Sequence, residues 1–316
     1  MIAPRRPLIE VRRLHRYFGE TKAVYDMSFE VYGGEVFGYI GPNGAGKTTS
    51  MRILATLDEP TYGDAFVDGF SVVDDPDRVR RRLGFMPDYF GTYQNVNVAE
   101  YLDFFARAYG LRSYQRKAAI DYAMEFTLLD QLADKPITGL SKGMKQRLCL
   151  GRTMIHDPAV LILDEPAAGL DPRARIELRE MIGRLAELGK TVLISSHILT
   201  ELAEMCHRVG IIEQGRLLAV GSVDEISAGA REMRSEVRLR VLGSSEGLLA
   251  WLRRRDDVSD TADRAGSIVL THAGGPEDQA ALLREVVEAG FAVVEFASKT
   301  KTLEDVFLHV TEGRVQ

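Results

Sequence analysis

The sequence predicts an α/β fold built on a largely parallel sheet, with a helical insertion and a small α+β unit after it. Three observations carry that prediction. From residue 8 to about 225, short apolar runs alternate with helical patterns, as strands joined by crossover helices do. Residues 36–40, 160–163 and 192–195 are continuous apolar runs rather than alternating ones, which fits strands covered on both faces. Between about 88 and 157 the strand signals fade and helical ones take over, in YLDFFARAYG and AAIDYAMEFTLL. The expected organisation is therefore an α/β domain over 1–226, its helical part at about 88–157, and an accessory domain over 227–316.

Within the accessory domain the pattern reads strand (EVRLRVL), helix (GLLAWLRRR), two strands (around DDVSD and GSIVLTH), helix (DQAALLREVVEAG) and strand (FAVVEFA). That order resembles a ferredoxin-like βαββαβ unit. A last helix, TLEDVFLHV, is expected to place Leu303, Val306, Phe307 and Val310 on one face, with Thr302 as its N-cap.

Size and composition bound the function. A chain of 316 residues is long for one core and suits two domains. Hydrophobic content of 45% and charged content of 27% are those of a globular protein. A net charge of −6 gives no support to a nucleic-acid partner, which would call for a basic surface. Cys149 and Cys206 lie far apart and suit free thiols in a reducing cytosol. The opening MIAPRRPLIEVRRLHR lacks the apolar stretch of a signal peptide, and no run approaches the roughly 20 apolar residues that span a bilayer. Work at a membrane is expected to go through a partner.

The chemistry begins at GPNGAGKT, whose spacing is that of a P-loop. Gly41, Pro42, Asn43, Gly44, Ala45 and Gly46 form a loop whose backbone N–H groups can converge on phosphate oxygens. Lys47 can bridge β- and γ-phosphates, and the Thr48 hydroxyl can hold Mg²⁺. Thr48 and Thr49 open a helix whose free N–H groups and dipole add attraction for anions. The loop falls between a buried strand and a helix, the context of a P-loop NTPase core of the RecA-like type. A second strand, VLIL, ends in Asp164 and Glu165. The carboxyl ends of parallel strands line the ligand crevice, so both acids should face the nucleotide. Asp164 is expected on Mg²⁺ and Glu165 on the attacking water. His197 closes TVLISSH, and its strand-end position suggests a hydrogen bond to the γ-phosphate.

P-loop, LSKGM at 140–144, LILDEP and GLDP, with a strand-end histidine behind them, fall in the order of the ATP-binding cassette family, the ATPase subunits of ABC transporters. The resemblance covers about residues 8–225. It implies a dimer of cassettes, head to tail, in which the Ser141 hydroxyl and the Gly143 backbone reach the γ-phosphate held by the partner's P-loop, with Asp171 at the seam. An N-cap role for Ser141 describes the same geometry. It further implies that Phe18 in RYFGE, or Tyr17, stacks on adenine. The position of the family's metal-sensing glutamine is Asp88 here, which can ligate Mg²⁺ but repels a metal-free γ-phosphate. Lys142 and Met144 replace the glycine and glutamine of the signature. Tyr89, Phe90 and Tyr93 would contact a separate permease, while Tyr101, Leu102 and Phe105 can equally be core.

The tail ending TLEDVFLHVTEG resembles that of daunorubicin-resistance exporters, which implies export of drug, lipid or glycan cargo from the cytoplasmic face of the membrane. Alternatives are a cassette ATPase of DNA repair or of ribosomes, a P-loop kinase or GTPase, and a structural cassette without turnover. The first would carry a long coiled coil or two cassettes, and the second leaves LSKGM and His197 unexplained.

Overall fold

A computed structural model of the protein describes residues 6–299 apart from 90, 92, 94, 224, 227–234 and 265. The expected last helix and its Thr302 cap lie outside the described residues, as does Phe90. The chain divides into two compact units after Val223, against the 226 expected from composition.

Among the described residues the first unit holds ten strands: β1 (Pro7–Phe18), β2 (Thr21–Tyr32), β3 (Val36–Ile40), β4 (Tyr62–Val67), β5 (Phe70–Ser71), β6 (Leu83–Met86), β7 (Val160–Leu163), β8 (Thr191–Ser196), β9 (Arg208–Glu213) and β10 (Arg216–Ser222). Its helices are α1 (Lys47–Leu54), α2 (Pro76–Arg82), α3 (Val98–Ala108), α4 (Ser113–Phe126), α5 (Lys142–Met154), α6 (Pro172–Glu187) and α7 (Leu199–Met205). The main sheet runs β10-β9-β3-β8-β7-β6. Every neighbouring pair from β9 to β6 is parallel, and β10 closes one edge antiparallel to β9. The three apolar runs are β3, β8 and β7, side by side in the middle, and every residue of each is buried. A continuous apolar run pays off only in the centre of a two-sided sheet, so the pattern located these strands correctly.

A second sheet, β2-β1-β4-β5, is antiparallel and packs its inward residues, among them Ile9, Val11, Met27 and Val31, into one core with Phe37, Tyr39 and Ile162 of the main sheet. Helices α3 to α5 lie in the interval between β6 and β7 and have a core of their own built on Tyr101, Leu102, Ala123, Leu148 and Ile155. Tyr101 and Leu102 are thus interior residues, and Phe105 packs against the same cluster. The start of α3 is fixed by reciprocal bonds: Glu100 N donates to Asn97 Oδ1 at 2.8 Å, and Asn97 N to Glu100 Oε2 at 3.0 Å.

The second unit comprises β11 (Ser235–Val241), α8 (Glu246–Leu252), β12 (Val258–Arg264), β13 (Ser267–His272), α9 (Pro276–Glu288) and β14 (Val293–Lys299). Its sheet order is β12-β13-β11-β14, all antiparallel, which is the ferredoxin-like arrangement. Val237 and Leu239 are buried with Leu248, Ile268 and Leu282, while Glu236, Arg238 and Arg240 between them are exposed. That alternation is the mark of a sheet covered on one face, and it is why this unit was readable as strands.

Candidate active site

The loop from Gly41 to Gly46 leaves β3 and enters α1. Gly44 and Gly46 take φ of +81° and +102°, and a Cβ on Gly46 would collide with the Ala23 carbonyl of β2. Glycine is therefore required at Gly46 both by the backbone angle and by the close approach of β2. Lys47 is almost fully buried and folds back over the loop, its ammonium donating to the Gly41 carbonyl at 2.7 Å and the Pro42 carbonyl at 3.3 Å. The cation thus sits over the loop carbonyls rather than in solvent. Phe18 ends β1 with half its surface exposed and the Arg16 guanidinium 4.6 Å from its ring centre. Tyr17 is engaged elsewhere, hydrogen-bonded to His15 at 2.9 Å and stacked on Tyr25. Of the two aromatics, Phe18 is the more exposed.

Both acids at the end of β7 come to this loop. Asp164 is fully buried, its N–H donates to the Met86 carbonyl at 2.8 Å, and its Oδ1 accepts from the Ser195 hydroxyl at 2.6 Å. Burial pushes the Asp164 carboxyl above its ordinary range, hydrogen bonds from Ser195 and Thr48 oppose this, and the charges of Asp88 and Glu165 push it up again. Glu165 adopts φ of +47°, a left-handed conformation that is rare for a long side chain. Its Oε1 lies 3.4 Å from the Lys47 ammonium and its Oε2 is 2.8 Å from His197 Nδ1. His197 is half-exposed and faces Glu165. Sequence reasoning expected that histidine on phosphate; the structure shows its Nδ1 on the neighbouring carboxylate.

Two buried oxygens here, Asp164 Oδ2 and Glu165 Oε1, accept no hydrogen bond from the protein. The Thr48 hydroxyl lies close enough to favour the charged form of the Asp164 carboxyl. An all-oxygen set of one carboxylate and one hydroxyl beside a phosphate cradle fits Mg²⁺, which usually takes one or two protein ligands and completes its shell with phosphate and water. Among the described residues no three acids, histidines or cysteines converge as a self-sufficient metal cage. Asp88 is exposed, and its charge is felt by both Asp164 and Arg52.

The remaining candidates lie apart from the loop. Ser141 caps α5, its hydroxyl accepting from Met144 N at 3.3 Å, and Asp171 caps α6, its Oδ1 accepting from Ala174 N at 2.9 Å. Ser141, Gly143 and Asp171 line one cleft of about 120 Å³, and no P-loop or strand-end residue lines it with them. The Lys142 side chain lies over Gly169, in the space that a Cβ there would take. Tyr89 is 75% exposed, and Tyr93 lines a separate cleft of about 330 Å³ with Val96, Glu100, Tyr101 and Phe104. Sequence reasoning missed Ser195, whose one signal was a polar residue at the end of an otherwise apolar run.

Matches to known proteins agree with this arrangement. The ABC transporter family model matches residues 24–168, and the model for the C-terminal domain of DrrA1-3-like ATP-binding proteins matches 221–311. The Nod factor export ATP-binding protein I of Ralstonia nicotianae is 33% identical over 306 residues, 96% of this chain and 94% of its own length. The daunorubicin resistance ATP-binding protein DrrA3 of Streptomyces coeruleorubidus is 34% identical over 303 residues, 96% of this chain and 95% of its own. Among solved structures, the ATP-binding subunit of an ABC transporter superposes with a TM-score of 0.64 at 31% identity, covering 70% of this chain and 92% of that one. The cbiO1 protein of Clostridium perfringens, part of the ABC transporter complex cbiONQ, also gives 0.64, at 27% identity, covering 70% and 91%. One-third identity over nearly the whole of both chains fixes the family: this chain belongs to the ATP-binding proteins of ABC transporters, ATPases that work as dimeric cassettes beside a membrane permease.

Proposed function

We propose that the chain is the ATP-hydrolysing subunit of an exporter and acts as a homodimer that clamps two MgATP between head-to-tail copies. The observation that supports this is a division of labour. Lys47, Thr48, Asp164, Glu165 and His197 gather at one crevice, whereas Ser141, Gly143 and Asp171 line a different cleft of the same chain. A site split in this way is complete only when a second copy brings its α5 start to the first copy's P-loop. There the Ser141 hydroxyl and the free N–H groups of α5 would hold the γ-phosphate from the other side.

Within each half-site the P-loop from Gly41 to Gly46, with Thr49, cradles the phosphates, and Phe18 stacks on adenine. Thr48 and Asp164 would hold Mg²⁺, with Asp88, whose charge reaches Asp164, as a further candidate ligand. That ion, when bound, neutralises charge on the β- and γ-phosphate oxygens. Glu165 orients and polarises the attacking water, and His197 holds the Glu165 carboxylate in place. Because each triphosphate binds both copies only in the closed form, ATP favours closure, and hydrolysis with phosphate loss releases it.

The named relatives support export: one group is named for Nod factor export and another for daunorubicin resistance. The cargo class that follows is amphipathic, drug-like, lipid or glycan. No helix among the described residues is long and apolar enough to cross a membrane, so attachment to the cytoplasmic face would run through the permease. Tyr89 and Tyr93, exposed beside the helical insertion, would receive it. Replacing both by alanine is expected to cut co-purification of the permease from detergent extracts by about tenfold or more, the loss of a two-residue hot spot. ATP binding should be unchanged, and undiminished recovery of the permease would contradict the docking site.

A further inference from the structure

We infer that Ser195 is the positioning residue that divides the work between the two adjacent acids. The inference rests on reading Asp164 and Glu165 as the acids of the reaction. In an extended strand successive side chains point to opposite faces, so a neighbouring Asp and Glu would not serve the same crevice. Here they do, because the Thr48 hydroxyl acts on the Asp164 carboxyl and Glu165 Oε1 lies 3.4 Å from the Lys47 ammonium, two consecutive residues of the cradle. The left-handed φ of +47° at Glu165 breaks the alternation.

Ser195 is what holds that geometry. The pairing of Leu163 with Ile194 brings Ser195 level with Asp164 at the ends of β7 and β8. Its hydroxyl donates to Asp164 Oδ1 at 2.6 Å and accepts from the Glu165 N–H at 2.8 Å. Both bonds are made by a side chain with no solvent exposure. A hydroxyl has one proton to give and two lone pairs, so a single residue can serve both acids in opposite senses. The first bond fixes one oxygen of Asp164 and leaves Oδ2 without a protein partner. The second pins the backbone of Glu165 in its uncommon conformation, with one carboxylate oxygen toward Lys47 and the other on His197. Buried donors and acceptors need partners in any fold, so a purely structural role would also keep these bonds. The positioning role makes a narrower demand: the hydroxyl must matter to turnover and to metal response, and side-chain shape must not substitute for it.

Threonine and valine at this position share a shape and differ only in the hydroxyl. In the full chain, Ser195→Ala and Ser195→Val are expected to lower kcat by about 10- to 100-fold, the cost of acids displaced by about an ångström. Their KM for ATP should stay within about threefold, as expected when ground-state binding is preserved. Ser195→Thr should recover most of the rate. A second readout needs no turnover: binding of a fluorescent ATP analogue, first in EDTA and then with Mg²⁺. Affinity in EDTA should be unchanged in all three variants, and the gain on adding Mg²⁺ should shrink severalfold in Ala and Val but not in Thr. Wild-type rates in Ala, or Val matching Thr in both readouts, would overturn the role of Ser195. Should Val fail to bind in EDTA, Ala against Thr decides by the same criteria. Glu165→Gln is run alongside. Turnover surviving in it removes the reading of the acids, and this inference with it. Its loss beside a fully active Ser195→Ala overturns the Ser195 role alone.

Discussion

Replacing Glu165 by glutamine is expected to lower phosphate release by about 10²- to 10⁴-fold, the range for removing a positioned general base. The substitution keeps side-chain volume and a hydrogen-bonding terminus beside His197, now 2.8 Å from the carboxylate. What it removes is the negative charge that polarises water. Glu165 also stands 3.4 Å from the Lys47 ammonium, so its neutralisation leaves that cation free for phosphate. ATP affinity should therefore hold or rise while kcat collapses. Steady-state phosphate release and equilibrium binding on the same preparation check both halves. Turnover within about threefold of the wild type would reject Glu165 as the base.

Lys47→Ala should act on the other half of that balance. The ammonium is nearly buried, held by two loop carbonyls, and is the cation that the P-loop offers to β- and γ-phosphate. A hydrogen bond to a charged partner contributes about 1.5–3 kcal/mol, so ATP affinity is expected to weaken by roughly 10- to 100-fold. Rate should be lost as well, since the same charge stabilises the transferring phosphoryl group. Titration calorimetry with ATP measures the first effect directly. Unchanged affinity would mean that the ammonium stays on its loop carbonyls when nucleotide binds.

These two residues were legible in the sequence because their chemistry lies in short, contiguous motifs. GPNGAGKT needs its glycines for backbone reasons that are local, and Gly44 and Gly46 take positive φ. The acids after VLIL were placed by a general rule about strand ends, which needs no knowledge of neighbours. The central strands and the one-sided sheet of the second unit were readable for the same reason, since periodicity reports how many faces are covered. What could not be read was whatever depends on a neighbouring strand. Ser195 meets Asp164 only because β7 and β8 pair in one particular register. His197 meets Glu165 only because that residue turns left-handed.

The central claim is that nucleotide joins two copies, each supplying one side of the grip. It is tested most directly by the molar mass of the Glu165→Gln variant in saturating MgATP, measured by light scattering during gel filtration. A dimer carrying two nucleotides is predicted, returning to monomer when Ser141→Ala and a bulky Gly143→Val are added, while each monomer still binds ATP. A Glu165→Gln protein that stays monomeric with one nucleotide bound would contradict the account.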